Sequence, residues 1–97
     1  MAQISYARLA LRDLERISDH VLESGGDALA VLELIEEAVG MLARHPLIGR
    51  PAESGMRALV ISLGRTGYVA LYSWEAADDA VLLLAIRHQR EAGFYED

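Results

Sequence analysis

His45-Pro46-Leu47-Ile48-Gly49-Arg50-Pro51, followed by Arg57-Ala58-Leu59-Val60-Ile61-Ser62-Leu63, Tyr68-Val69-Ala70-Leu71-Tyr72-Ser73-Trp74 and Ala80-Val81-Leu82-Leu83-Leu84-Ala85-Ile86-Arg87, is the part of this chain that decides its fold. Between the three apolar runs stand Gly64-Arg65-Thr66-Gly67 and Ala76-Ala77-Asp78-Asp79, both short and rich in turn formers. Strand-length apolar runs joined by such turns predict three consecutive antiparallel strands, a meander.

Upstream, Ala2 to Tyr6 is a short strand candidate, and residues 8 to 44 carry helical periodicity in two segments split by Ser24-Gly25-Gly26. The predicted order is β-α-α-β-β-β, an α+β fold with two N-terminal helices on one face of a small, mostly antiparallel sheet. Ninety-seven residues suffice for one hydrophobic core, so residues 1–97 are expected to form a single domain.

Ser5 is the expected N-cap of the first helix, whose stripe is Ala10, Leu14, Ile17 and Val21. Gly25 should end it and Asp27 should cap the second. The second helix has two adjacent stripes, Leu32/Ile35/Val39/Leu42 and Val31/Leu34/Ala38/Met41, and so predicts a helix covered on two sides. Gly40 within it costs about 1 kcal/mol against alanine and is expected where another element packs closely. Pro46 stops the helix, and Pro51 keeps the next loop extended.

Alternation along the strands assigns their faces. Leu59, Ile61 and Leu63, with Tyr68, Ala70, Tyr72 and Trp74, are expected to face the helices. Ala58, Val60 and Ser62, with Val69, Leu71 and Ser73, are expected on the open side. The last strand is apolar on both sides; Leu82, Leu84 and Ile86 are taken as inward, with Val81, Leu83, Ala85 and Arg87 outward. An open floor of Ala58, Val60, Val69, Leu71, Val81 and Leu83 predicts a docked partner helix or extended segment.

Hydrophobic residues make up 53% of the chain, high for a small domain, which also predicts apolar surface covered by another chain. There is no cysteine and therefore no disulfide or thiolate metal site; a reducing cytoplasmic location is expected. No apolar stretch is long enough to span a bilayer, and no membrane association is expected. The net charge of −6 opposes unspecific attachment to phosphate backbones, so the protein alone is not expected to bind nucleic acid directly. The charge is uneven: residues 1–44 hold eight acids and four arginines, residues 45–90 four acids and five arginines, and residues 91–97 three acids. All nine cations are arginine, which excludes lysine-based proton transfer.

Order and residues together resemble the RelE/ParE toxin superfamily of type II toxin–antitoxin modules. The resemblance covers nearly the whole chain. It rests on Ala10-x-x-Asp13-Leu14-x-x-Ile17, on His45-Pro46-x-x-Gly49-Arg50-Pro51, on Arg57, on Gly67-Tyr68-Val69-Ala70-Leu71-Tyr72, and on Ile86-Arg87-His88-Gln89-Arg90. It implies one of two activities on a shared fold: ribosome-dependent mRNA cleavage in RelE-like members, or inhibition of DNA gyrase without known nuclease chemistry in ParE-like ones. RelE-like toxins carry basic residues along the open face of the first meander strand, where this chain has Val60 and Ser62, and an arginine after the Gly-Tyr pair, where it has Val69. RNA cleavage needs groups that activate a 2′-hydroxyl, stabilise a charged phosphorane and protonate a leaving oxygen. The resemblance thus favours a ParE-like, non-enzymatic gyrase inhibitor, neutralised by a cognate ParD-like antitoxin of the ribbon-helix-helix type. A RelE-like endonuclease and a non-toxic binding module are the alternatives.

Target-binding candidates are Arg65, Arg87, His88, Arg90 and Tyr95; a ribonuclease would have to use Arg87, His88, Arg90 and Tyr95. Antitoxin-binding candidates are Arg50, Arg57, Ala58, Val60, Val69, Leu71, Val81 and Leu83. Arg50 and Arg57 pair either with acids of an antitoxin or with Glu53 of the same chain. His88 titrates nearest neutrality but stands at a strand end beside arginines, where a surface hydrogen-bonding role is the simpler reading. His20 and His45 have no second ligand at metal spacing, so no metal or other cofactor is expected. Glu36-Glu37 reads as a solvated helix face and Asp78-Asp79 as a hairpin turn. Gly64-Arg65-Thr66-Gly67 lacks the lysine and following helix of a phosphate loop.

Overall fold

Ile4 and Tyr6 alternate with Gln3 and Ser5, and this period of two builds the first strand, β1 (Gln3–Tyr6). In the computed structural model the described residues are 1–63 and 66–89. After β1 come α1 (Arg8–Glu23), α2 (Ala28–Gly40), β2 (Arg50–Pro51), β3 (Arg57–Leu63), β4 (Thr66–Glu75) and β5 (Ala80–His88). The sheet order is β1-β5-β4-β3-β2, antiparallel except for the parallel β1–β5 pair. The α+β arrangement read from the sequence therefore holds, with β2 added as a two-residue edge. Pro51 suits that edge, because a residue without an N–H is tolerated only where no inner ladder bond is needed.

The helix boundaries follow local chemistry with one exception. Ser5 lies inside β1, and Ala7 precedes α1 without any side-chain cap. The turn after α1 places Gly25 at φ +78°, a left-handed geometry that glycine adopts without steric cost. The Asp27 side chain accepts a hydrogen bond from the Ala30 N–H at 3.1 Å and caps α2 as expected. Gly40 closes α2 from an exposed position, and a Cβ there would meet nothing within 4 Å. Among the described residues no element packs closely there, contrary to the expectation. Helical winding continues as a 3-10 turn, Met41–Ala43, which ends ahead of Pro46.

The buried side of α2 draws on both stripes: Ile35, Val39 and Leu42 of one and Val31 of the other are buried, Leu32, Leu34 and Ala38 are half-buried, and Met41 is exposed. The buried residues meet Ala10 and Ile17 of α1 and Ile61, Tyr68, Ala70 and Tyr72 of the sheet. Leu59 and Trp74 pack at the margin of the same core, so β3 and β4 face as predicted.

Strand β5 faces differently. Val81 and Leu83 point into the core, not to the open side, and Leu82 is exposed. The cause is an irregularity in the ladder: Tyr72 pairs with Leu83 but Leu71 pairs with Ala85, leaving Leu84 without an opposite residue. This extra residue shifts the alternation, and Ile86 returns to the core as predicted.

Candidate functional site

The loop His45 to Pro51 is shaped by two side chains from the sheet. The buried Tyr72 hydroxyl donates to the Pro46 carbonyl at 2.7 Å and accepts from the Gly49 N–H at 3.0 Å. One nitrogen of Arg57 donates to the Gly49 carbonyl at 2.6 Å and to the Leu47 carbonyl at 3.4 Å. Gly49 is required by contact: a Cβ would lie 2.7 Å from the Tyr72 hydroxyl and 2.9 Å from the Ala58 carbonyl. Arg57 thus spends hydrogen bonds on its own chain's backbone carbonyls, whereas Arg50 is exposed on β2.

The expected apolar floor is much reduced. Val60 is 40% exposed and Leu71 half-buried, but Val69 is wholly buried and Ala58 nearly so. Val69 sits on the central strand, flanked in register by Val60 and Arg87, and Ala58 lies between Arg50 and Leu71. Small side chains between larger neighbours are shielded even on an outer face. Val81 and Leu83 belong to the core under the helices. Of the eight antitoxin-binding candidates, Ala58, Val69, Val81 and Leu83 are therefore not available as open surface.

At the far end of β5 a charged cluster takes shape. Pairing with β1 stops at Leu83, and α1 continues alongside the strand edge from there. Asp13 of α1, only 4% exposed, accepts the Ile86 N–H at 2.9 Å. The same carboxylate lies 3.5 Å from Arg87 Nε and 3.6 Å from an Arg16 nitrogen. A buried carboxylate is tolerated where hydrogen bonds and countercharges replace water, as they do here. Next to Arg87, the His88 ring packs edge-on against Tyr68, their centroids 5.4 Å apart. Arg87 and His88 are thus brought together, while Arg65, Arg90 and Tyr95 lie outside the described residues.

Asp13 has no role in the sequence reading beyond its place in a motif. One signal for it is available, however: three residues after Ala10 and four before Ile17, it lies on the apolar stripe of α1. A carboxylate on a buried stripe calls for a partner.

A groove of about 700 Å³ runs between α1 and α2, its floor including Leu11, Leu14, Leu32 and Ile35. Glu15, Asp19 and Glu36 line it, and no arginine does so among the described residues. Burial, with the Glu36 charge adding to it, raises the pKa of Tyr6 at this groove above the ordinary tyrosine value. Among the described residues no three histidine, aspartate or glutamate side chains converge as a metal site. None of their helices is long and apolar enough to cross a membrane.

Residues 4–93 match the family described as the ParE toxin of the type II toxin–antitoxin system parDE. The chain belongs to the ParE toxin family. It is 33% identical over 92 residues to the toxin RelE3 of Caulobacter vibrioides, covering 94% of this chain and 98% of that toxin. Among solved structures, the chromosomal ParDE system of P. aeruginosa superposes with a TM-score of 0.74 at 29% identity, over 90% of this chain and 95% of that one. The RelBE2 toxin–antitoxin complex of Mycobacterium tuberculosis follows with a TM-score of 0.62 at 26% identity, over 91% and 98%. The protein is therefore a type II toxin of the ParE/RelE superfamily, and its likenesses span both branches.

Proposed function

We propose that this toxin acts by inhibiting DNA gyrase, without catalysis, and is neutralised by a ParD-like antitoxin of the ribbon-helix-helix type. The observation that carries the reading is electrostatic. Where RNA cleavage would require cations on the open sheet face, the chain has Val60 and Val69, and the arginine beside them, Arg87, has its Nε against the Asp13 carboxylate. A cation already paired with a carboxylate is a weak stabiliser of a phosphorane. The match to the ParE family and the likeness to a ParDE system support the same branch. The likenesses to toxin–antitoxin complexes support an antitoxin partner, for which Arg50, Val60 and Leu71 remain on the accessible surface.

The test is supercoiling of a relaxed plasmid by purified gyrase with increasing toxin. Supercoiling should fall and should recover when antitoxin is added; undiminished supercoiling at a large excess of toxin refutes the reading. The second reading, a ribosome-dependent endonuclease, is favoured by the 33% identity to the toxin RelE3. It predicts new message ends within codons after induction, and their absence would eliminate it.

A further inference from the structure

We propose that Asp13 is a positioning residue for the surface that meets the toxin's target, holding the end of β5 and aiming Arg87 before the target arrives. The proposal rests on the reading that Arg87 and His88 belong to that surface. Three observations lead to it. Asp13 is the buried charged residue among the described residues, and besides its helix neighbour Arg16 it holds the Ile86 N–H, 73 residues away in the chain. Its carboxylate occupies the stretch of β5 edge that β1 leaves unpaired, where an N–H would otherwise lack an acceptor. The third is the split character of Arg87: Nε is buried and makes no hydrogen bond, so its compensation is the ionic attraction of Asp13, while the side chain as a whole remains 36% exposed.

A long arginine side chain ordinarily loses rotamer freedom when it is immobilised at an interface. Anchoring Nε in advance removes part of that loss, leaving the outer nitrogens oriented for an acceptor on the partner. The protein has a net charge of −6, and its cations are the groups able to engage an acidic or carbonyl-rich target surface. Asp13 itself would touch nothing in the target. It acts through Arg87.

Growth arrest on induction, inhibition of purified gyrase and thermal stability should be measured for the wild type, Asp13→Asn, Arg87→Gln and the double variant. Asparagine keeps an oxygen to accept the Ile86 N–H but removes the charge. Arrest and gyrase inhibition should weaken ~tenfold in each single variant, the size expected when one interface arginine is lost. The double variant should be no weaker than either single, because both changes break one coupled unit. The Arg87 Nε–H should exchange with water faster in Asp13→Asn than in the wild type. Arg12→Gln, which removes an exposed cation of α1 outside this cluster, should arrest growth like the wild type.

Wild-type potency of Asp13→Asn, or deficits that add in the double variant, would overturn the proposal. If Asp13→Asn does not fold, Arg87→Gln decides, and full potency from it is equally fatal. A wild-type protein that arrests growth but spares gyrase refutes only the gyrase reading, since growth arrest registers toxicity through any target. A wild type that arrests nothing ends both.

Discussion

Tyr72 does more for the fold than its burial alone implies. Its ring lies in the core, and its hydroxyl serves two backbone groups of the loop after α2. Tyr72→Phe keeps the ring and leaves the Gly49 N–H without its acceptor, a loss of about 1–3 kcal/mol. Gly49→Ala pushes a Cβ against that same hydroxyl and against the Ala58 backbone, which cannot move without disturbing the β2–β3 ladder. It should cost about as much, roughly 1–3 kcal/mol. Each kilocalorie corresponds to roughly 4–8 °C of Tm in a domain of this size, so thermal denaturation followed by circular dichroism checks both. Tyr6 gives a pH-dependent counterpart. Its pKa is raised in the folded state from 10.0, chiefly by burial and further by Glu36, so the unfolded chain releases the proton first. Its contribution to stability is whole below pH 10.0 and declines as pH climbs above it. Urea denaturation between neutral and strongly alkaline pH should show this alkaline loss reduced in Tyr6→Phe.

At the level of elements, β3 and β4 are readable because Leu59, Ile61, Tyr68, Ala70, Tyr72 and Trp74 alternate in phase toward the core and Ser73 marks the outer side. β5 is not, since it is apolar on both faces and the unpaired Leu84 reverses its phase midway. A period of two carries no information across an inserted residue. The same limit explains the candidate site. A continuous alternation would put Val81 and Leu83 outward, but the strand does not have one, and Ala58 and Val69 are shielded by neighbours that only the sheet order supplies. The charged cluster is half visible in the sequence, in that Arg87 and His88 stand out there but Asp13, which organises one of them, belongs to a helix far away in sequence. Caps, being local, are more tractable. Asp27 is recognisable from its position before an apolar run, and Asp27→Ala should destabilise the protein by about 1 kcal/mol through the lost bond to the Ala30 N–H. Hydrogen exchange localises the effect: the first-turn amides of α2 should lose protection while those of β4 and β5 change only with global stability.

Across the whole molecule, charge is divided in a way that bears on the target. The helical half supplies an acid-lined groove, whereas the meander is the least acidic region and ends in Arg87. Unspecific attachment to DNA depends on releasing counterions from the phosphates, which requires a cluster of cations facing the duplex. A chain with nine arginines against fifteen acids has no such excess. If it acts on gyrase, it must do so through protein contacts, not by gripping the DNA that gyrase carries. Fluorescence anisotropy of a labelled duplex should therefore show no binding by toxin alone at ~0.15 M salt, with any dissociation constant weaker than the ~10⁻⁴–10⁻⁶ M of unspecific DNA-binding proteins. Lowering the salt should not rescue it, because weaker screening strengthens the repulsion between the acidic protein and phosphate along with any local attraction at Arg87. Micromolar binding that strengthens steeply as salt falls would mean that a cationic surface exists despite the acidic balance, and the nuclease reading would then regain its electrostatic basis.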